Sequence, residues 1–247
     1  MTKLFRKKYT PRQTQVYGDD NFAIAEAYKT VRTNIMFSLS DVENGKVIIL
    51  TSPGPCEGKS TSALNVAVNF AKMGKKTLLI DADLRKPRIH KAMGVEHEGL
   101  ANYLGGFSEF DQVIAYSEEY GLDLMVCGTI PPNPSELLAS NKMTKLVDRM
   151  KEQYDYIIID TPPVNVVTDA VILSKLASGV VVVVREGSTT YTELSKAIET
   201  LEFAESRLLG IVVNDSVGLS KGYKYKGRYS RYYYRYEDYS YSYKEKE

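Results

Sequence analysis

The sequence predicts an α/β protein with a mostly parallel central sheet flanked by helices. Short apolar runs end repeatedly in an acidic, amide or small polar residue, and each is followed by a longer run with helical spacing. Strands and helices that alternate along a chain form a parallel sheet with right-handed crossovers. At 247 residues, the chain suits one large domain of this class, with two small domains as the alternative.

Composition limits the classes of function. The formal net charge is +1 at pH 7, so the overall charge of the chain gives no reason to expect a nucleic-acid partner. The two cysteines, Cys56 and Cys127, lie far apart in sequence, so a disulfide framework is not expected and a reducing cytoplasm fits. Because no apolar run approaches the ~18 residues of a transmembrane helix, any membrane association would depend on a partner.

The N-terminal part of the chain carries an arm and a charged helix. Residues 1–20 are polar and basic, and we expect them to form a flexible arm. Residues 22–39 have the apolar spacing of a helix, and Glu26, Lys29 and Arg32 recur along one side of it. Two interpretations remain open: a solvated face with intrahelical ion pairs, or a charged seam between subunits.

The strongest motif begins where the first predicted strand, residues 46–52, ends. A loop rich in proline and glycine follows, and Gly58, Lys59 and Ser60 then open a helix that Gly74 ends. At such a turn backbone N–H groups bind phosphate, Lys59 reaches the β- and γ-phosphates, and the Ser60 hydroxyl contacts Mg²⁺. The predicted ATP-binding residues here are Gly54, Pro55, Cys56, Glu57, Gly58, Lys59, Ser60 and Thr61.

This phosphate-loop motif has one defect. The pattern G-x-x-x-x-G-K-[ST] requires glycine where the chain has Pro53, and glycine follows one position later, at Gly54. The alternative is an ordinary strand–helix connection that contains Gly-Lys-Ser by accident. The strand and helix patterns on either side favour the phosphate loop.

Two later strands are predicted to end in aspartate. One ends at Asp81, with Asp83 two positions further on, and another ends at Asp160. Open α/β sheets bind ligands at the carboxyl ends of their strands, so we expect these carboxylates beside the phosphate loop, suited to metal and base chemistry. The cations that follow Asp83 are interpreted as solvated or phosphate-facing: Arg85, Lys86 and Arg88.

The remaining elements continue the alternation. Pro134 can open a helix that Asn133 caps. Asn214 lies at the ligand-side end of the last strand, where reading a purine edge and capping the next turn are both open. The other predicted strands are residues 122–127, 179–185 and 208–214, and the other helices are residues 99–106, 141–153, 165–177 and 189–205.

The composition changes at residue 220, after which no aliphatic residue occurs. Such a segment cannot bury enough surface to offset its ordering entropy, so residues 220–247 are predicted to be a disordered tail. From residue 221 the tail has eight Lys or Arg against four Asp or Glu, a net charge of +4.

The tail is also rich in tyrosine, which supports two interpretations. Tyrosine and arginine side chains can bind RNA by stacking and charge. Alternatively, the tail is a phosphorylation cluster, in which three phosphates of roughly −1.5 to −2 charges each would outweigh its positive charge. The candidate phosphorylated residues are Tyr223, Tyr225, Tyr229, Tyr232, Tyr233, Tyr234, Tyr236, Tyr239, Tyr241 and Tyr243.

Together, these segments resemble the bacterial tyrosine kinases (BY-kinases) of capsule and exopolysaccharide assembly, in the form where the kinase is a separate cytoplasmic chain. PCEGKS resembles that family's Walker A motif, LLIDADLRKP its Walker A′ and YIIIDTPP its Walker B. EAYKTVRTN resembles its N-terminal oligomerisation motif, E-x-x-R-x-x-R, and PPNPSELL resembles a further family segment. A tyrosine cluster closes the chain, as in the family.

The resemblance implies a P-loop NTPase fold of the MinD/ParA-like type in residues 21–219, and an ATP- and Mg²⁺-dependent protein-tyrosine kinase. Lys59 and Ser60 would bind phosphate and Mg²⁺. Asp83 and Asp160 would support the metal. Asp81 would orient or deprotonate the attacking tyrosine hydroxyl, so the implied catalytic residues are Lys59, Asp81, Asp83 and Asp160.

The resemblance also implies partners. Glu26, Lys29 and Arg32 would join neighbouring subunits in a homo-oligomeric ring, octameric in the family, in which tail tyrosines are phosphorylated in trans. A transmembrane activator of the chain-length-determinant type and a cognate tyrosine phosphatase are expected. The kinase would then be cytoplasmic, membrane-associated through its activator, and a regulator of polysaccharide synthesis and export.

The chain departs from the family pattern at three positions. Cys56 stands where the family usually has glycine, and its backbone can donate N–H groups if its φ is negative. Lys29 replaces an arginine, which keeps the charge but loses the bidentate fork. Pro53 replaces the first Walker glycine.

Two other functions remain open. One is a partitioning or site-selection ATPase of the same superfamily, or a metal-cluster carrier. Those ATPases usually carry a second lysine where this chain has Gly54, and the carriers usually carry a CxxC pair that this chain lacks. The other is an RNA- or surface-binding module with a vestigial nucleotide site.

Overall fold

The computed structural model describes residues 14–16, 22–43 and 45–215. Most of the predicted arm, residues 1–20, and all of the predicted tail, residues 220–247, lie outside the described residues. The boundaries of these two segments therefore stay predictions.

The described residues form one sheet of seven strands: β1 (Lys46–Thr51), β2 (Thr77–Asp81), β3 (Ala115–Ser117), β4 (Leu122–Met125), β5 (Tyr156–Asp160), β6 (Gly179–Arg185) and β7 (Leu208–Asn214). Their order across the sheet is β3–β4–β2–β5–β1–β6–β7. Only the β3–β4 pair is antiparallel, and the other pairs are parallel. The prediction of a mostly parallel sheet is confirmed.

Helices connect the strands and flank the sheet. In the part of the chain that the structure describes, no helix is both long enough and apolar enough to cross a membrane. The helices are α1 (Phe22–Ser38), α2 (Lys59–Ala71), α3 (Ile89–Met93), α4 (Leu100–Gly105), α5 (Pro134–Leu138), α6 (Asn141–Gln153), α7 (Asp169–Ser174) and α8 (Tyr191–Phe203).

Two unpredicted elements, α3 and β3, and the start of α7 differ from the sequence prediction. Helix α7 begins at Asp169 rather than at residue 165, because the chain after β5 first runs along the end of β1, where the Val164 N–H donates to the Ser52 carbonyl at 2.9 Å. Strand β3 was not predicted. Its three residues are half-buried or exposed, so they carry no apolar alternation that marks a strand.

The central strands are buried on both faces, which explains their continuous apolar sequences. Along β1, Val47 and Ile49 enter the core on one side of the sheet, and Ile48 and Leu50 enter the core on the other. Alternate side chains of one strand therefore stabilise both helical layers.

The strand order brings three functional strand ends together. β5 lies between β2 and β1, so the strands that carry the two aspartate motifs and the phosphate loop are neighbours. The register pairs Asp160 with Asp81 on one side and with Leu50 on the other. Because all three strands are parallel, their carboxyl ends meet at one edge.

We expect the contact between Phe70 of α2 and Tyr156 of β5 to hold this helix on the sheet. Phe70 is fully buried, and the two rings stack with centroids 3.8 Å apart. Phe70→Ala should therefore lower the free energy of unfolding by about 3–5 kcal/mol, measured by urea denaturation. The control is Phe203→Ala, whose ring is 93% exposed and should cost less than about 0.5 kcal/mol. Equal losses in the two variants would contradict the expectation.

Candidate active site

The loop between β1 and α2 has the backbone shape of a phosphate cradle. The φ angles are 64° at Cys56 and 93° at Gly58, and Glu57 between them does not have a positive φ. Residues with positive φ on either side of one without it are typical of anion-binding nests, in which successive N–H groups turn toward one point. Gly58 is also the N-cap of α2, a 13-residue helix, so the helix terminus adds partial positive charge.

N–H donation by Cys56 was predicted for a negative φ, but the φ of Cys56 is positive, so the condition of that prediction is not met. Cys56 lies in the left-handed region, where a residue with a Cβ costs about 1 kcal/mol and glycine does not. This conformation gives a physical reason for the glycine at this position in the family pattern. The Cys56 side chain is exposed, whereas Cys127 is buried near Asp81 and Asp83, and its burial and their charges raise the pKa of Cys127 to about 12.

Glu57 fixes the loop from inside. Its Oε2 accepts from the Gly54 N–H at 3.1 Å, and its Oε1 accepts from the Thr189 hydroxyl at 2.6 Å. Burial raises the pKa of Glu57, against the effect of these two hydrogen bonds. Sequence reasoning missed the contact with Thr189, because the two residues lie 132 positions apart.

Asn214 fixes the same loop from the end of β7. Its Nδ2 donates to the Glu57 carbonyl oxygen at 3.0 Å. A Cβ at position 58 would collide with this Nδ2, so Gly58 is required by close approach as well as by its φ. The structure thus places Asn214 at the site as a support of the phosphate loop, a role that was not predicted. Purine recognition by Asn214 stays a prediction.

Lys59 lies between two of the predicted carboxylates. Its Nζ is 2.8 Å from Asp83 Oδ2, 3.4 Å from Asp160 Oδ1 and 3.3 Å from the Ser60 Oγ. Burial alone would lower the pKa of Lys59, but the charges of Asp160 and Asp83 outweigh burial and raise it. Lys59 is therefore a charged ammonium group at the base of the cradle.

Asp83 and Asp160 differ in their electrostatics. Burial raises the pKa of Asp160, whereas at Asp83 the Lys59 charge and backbone N–H bonds outweigh burial and lower the pKa. Asp160 Oδ2 is buried and has no hydrogen-bond partner in the described part of the chain. A buried carboxylate oxygen without a partner fits a site for a hydrated cation.

The candidate metal donors near Lys59 are two carboxylates and one hydroxyl. The described residues contain no group of three or more His, Cys, Asp or Glu side chains that could hold a metal. Mg²⁺ commonly uses one or two carboxylates together with substrate phosphates and water. Asp83, Asp160 and the Ser60 hydroxyl surround the Lys59 ammonium group, and their assignment as Mg²⁺ ligands stays a prediction.

Asp81 braces the loop that follows β2. Its Oδ2 accepts from the N–H groups of Arg88 and Ile89, at 3.1 and 3.0 Å, and its Oδ1 accepts from the Asp83 N–H at 3.3 Å. Burial and the nearby charge of Asp160 raise the pKa of Asp81 to about 7. A carboxyl group that titrates near neutral pH suits a general base, and its part in catalysis stays a prediction.

Arg85 is partly exposed, but it has a carboxylate partner that its interpretation as a solvated or phosphate-facing cation did not include. Its guanidinium forms a bidentate ion pair with the fully buried carboxylate of Asp169, with Nε–Oδ2 at 2.9 Å and Nη2–Oδ1 at 3.1 Å. Lys86 and Arg88 are exposed, in keeping with the interpretation as solvated residues. In the sequence, the only signal for a carboxylate partner is that the residue is arginine, whose guanidinium can bind a carboxylate through two hydrogen bonds. The residue type does not indicate which carboxylate it binds.

The charged residues of α1 have contacts within one chain. Lys29 Nζ pairs with Glu26 Oε1 at 2.6 Å, and Arg32 Nη1 donates to the Asn69 carbonyl of α2 at 3.3 Å. The intrahelical pairing that was one of two interpretations is thus present. The alternative, a seam between subunits, stays a prediction, and the ten tail tyrosines lie outside the described residues.

Comparisons with known proteins identify the family of this chain. Residues 43–226 match the model of the ParA family, described as NUBPL iron-transfer P-loop NTPase. The tyrosine-protein kinase YwqD of Bacillus subtilis (strain 168) is 46% identical over 191 residues, which cover 77% of this chain and 80% of YwqD. The tyrosine-protein kinase ptk of Acinetobacter johnsonii is longer: 37% identity over 221 residues covers 89% of this chain and 30% of ptk.

A solved structure gives the same result. The kinase domain of Escherichia coli tyrosine kinase ETK superimposes with a TM-score of 0.78 and 32% identity, covering 91% of this chain and 89% of that domain. The predicted P-loop NTPase fold of the MinD/ParA-like type is therefore confirmed. The chain belongs to the bacterial tyrosine-protein kinase family, within the ParA-like P-loop NTPases.

Proposed function

We propose that this tyrosine kinase uses ATP and Mg²⁺ to phosphorylate the tail tyrosines of a neighbouring copy, and thereby regulates the synthesis and export of capsular or extracellular polysaccharide. The observation that carries the proposal is the buried cluster of Lys59, Asp83 and Asp160 at the opening of a loop with nest geometry. The tyrosine-rich segment, residues 220–247, would supply the acceptor hydroxyl groups.

The loop would hold the phosphates of ATP. Its N–H groups and the N-terminus of α2 offer partial positive charge, and Lys59 adds a full charge that neutralises the β- and γ-phosphates. Mg²⁺, when bound, neutralises charge on the transferring phosphoryl group. Ser60, Asp83 and Asp160 would hold it, and the unpartnered Asp160 Oδ2 supports this assignment.

Asp81 would accept the proton of the attacking tyrosine. The phosphoryl group passes from ATP to the phenolic oxygen, ADP leaves, and the phenolic proton passes to the Asp81 carboxylate. The raised pKa of Asp81 supports this role. Since phosphoryl transfer needs little covalent chemistry from a protein, positioning and charge neutralisation supply most of the rate.

A neighbouring copy would deliver the tyrosine. An acceptor segment loses conformational entropy when it docks, and assembly in a ring offsets part of that cost by raising its effective concentration. Glu26, Lys29 and Arg32 are the proposed seam of this ring, an octamer by family resemblance. Lys29 and Glu26 are 47% and 31% exposed, so both can exchange their intrahelical pair for a partner on another copy.

The remaining proposals concern partners and location. A transmembrane activator of the chain-length-determinant type would stimulate the kinase and bring it from the cytoplasm to the membrane. A cognate tyrosine phosphatase would reverse the modification. Three phosphates already outweigh the tail's net charge of +4, so phosphorylation would change the tail from basic to acidic and could loosen the ring.

Transfer to the tail is tested with the Lys59→Met variant. The full chain, incubated with Mg-ATP and the cytoplasmic segment of its activator, should gain phosphate on tail tyrosines, mapped by mass spectrometry. Lys59→Met should abolish the gain because it removes the cation at the phosphates. Lys196→Met, which changes an exposed lysine of α8, should keep it. Hydrolysis of ATP without any modified tyrosine would instead support the partitioning-type ATPase.

The role of Asp81 is tested through pH. A general base acts in its deprotonated form, so with a pKa of about 7 activity should rise as pH increases from about 6 to 8. Asp81→Asn should lower kcat by about 100-fold or more and remove this rise. Thermal unfolding of both proteins checks folding. An unchanged pH profile in Asp81→Asn would limit Asp81 to bracing the loop.

The ring seam is tested by light scattering. Glu26→Ala should lower the mass of the oligomer, because it removes the carboxylate that a cation of the adjacent copy would meet. Glu199→Ala, at an exposed acidic residue of α8, is the control and should leave the mass unchanged. An oligomer mass of Glu26→Ala equal to that of the unmodified protein would show that Glu26 is not part of the seam.

A further inference from the structure

We infer that Arg85 is a positioning residue: through its bidentate pair with Asp169 it holds Asp83 opposite Asp160 and so sets how strongly the site binds a magnesium–nucleotide complex. The inference rests on the ATP–Mg²⁺ site of the proposed function. It adds a cluster of three residues, the clamp, which consists of Arg85, Asp169 and Ser135. The side chains of the clamp do not contact the predicted phosphate ligands.

Each of the three side chains of the clamp is hydrogen-bonded to the other two. Beside the two bonds of the Arg85–Asp169 fork, the Ser135 hydroxyl donates to Asp169 Oδ1 at 2.6 Å and accepts from Arg85 Nη2 at 2.8 Å. The Asp169 carboxylate is fully buried, whereas the Arg85 side chain is 37% exposed. Because Asp169 is buried and charged, loss of its arginine would leave a charge without compensation.

The clamp joins three segments at the carboxyl edge of the sheet. Arg85 belongs to the turn after β2, two positions beyond Asp83. Ser135 lies in the first turn of α5, and Asp169 is the first residue of α7, after the loop that follows β5. The clamp therefore connects the segment that carries Asp83 with the segment that follows Asp160.

Asp83 depends on this connection. Its Oδ1 accepts from the Lys86 N–H at 3.0 Å, so the carboxylate is fixed to the same turn that Arg85 anchors. Asp160, by contrast, is fixed by the sheet itself, because it pairs in register with Leu50 and Asp81. Loosening the clamp should therefore displace Asp83 relative to Asp160.

The backbone of the phosphate loop has anchors outside the clamp, although Lys59 after the loop contacts Asp83. Its fixed points are the Glu57 bonds to Gly54 and Thr189 and the Asn214 bond to the Glu57 carbonyl. A change at Arg85 should therefore weaken the contribution of the metal and leave phosphate binding by the loop in place. A residue with a purely structural role would weaken both together.

The test is calorimetric titration of the full chain with ADP, in excess Mg²⁺ and again in EDTA. Arg85→Lys keeps the charge but cannot form the fork. Since outer partners of metal ligands typically affect metal affinity by 10- to 100-fold, the gain in ADP affinity on adding Mg²⁺ should fall about tenfold or more. The affinity for ADP in EDTA should stay within about twofold, and Ser135→Ala, which keeps the fork, should lie between Arg85→Lys and the unmodified chain.

The matched control is Arg207→Lys. Arg207 forms a comparable fork with Asp41, at 2.8 and 3.0 Å, before the start of β7 and thus at the opposite edge of the sheet. It should leave the Mg²⁺-dependent gain unchanged. The inference is overturned if Arg85→Lys keeps the full gain, or if it loses ADP binding in EDTA to the same extent. If the clamp behaves as expected but no tyrosine is modified by the unmodified chain, the proposed function fails and the clamp stands.

Discussion

The buried ion pairs of Lys59 with Asp83 and Asp160 are the interaction on which the rest of the structure depends. Parallel packing of β2, β5 and β1 places several carboxylates at one sheet edge, where Asp81 and Asp160 are fully buried. Such groups are destabilising unless a cation compensates them. Lys59 supplies that cation from the first residue of α2. Charge compensation at this edge thus depends on the sheet order, on the start of α2 and on the shape of the loop before it.

The site is held by two kinds of support. Backbone pairing in the sheet fixes where Asp81 and Asp160 lie, and this support is continuous with the core. The loops that complete the site are held in addition by side chains from distant segments. Thr189 and Asn214 contact the phosphate loop, and Asp169 contacts the turn after β2 that Asp81 also braces. The two loops thus have different distant anchors, and the Lys59–Asp83 pair joins them at the site.

Much of this architecture could be predicted from the sequence, because burial of a strand on both faces leaves a continuous apolar run. The phosphate loop and the two aspartate motifs follow such runs, so topology alone brought Lys59, Asp83 and Asp160 together. The Arg85–Asp169 pair could not be predicted, since its members lie 84 positions apart and neither belongs to a periodic pattern. The positive φ of Cys56 was missed, although the glycine that the family usually has at this position is the residue that favours positive φ.

The difference between the two cysteines has a practical consequence. Cys56 is exposed on the phosphate loop, whereas Cys127 is buried and its raised pKa disfavours the reactive thiolate. A thiol reagent should therefore modify one position in a chain that has two cysteines. The natural sequence thus carries a single attachment point for a fluorescent or spin label at the nucleotide site, without any engineered residue.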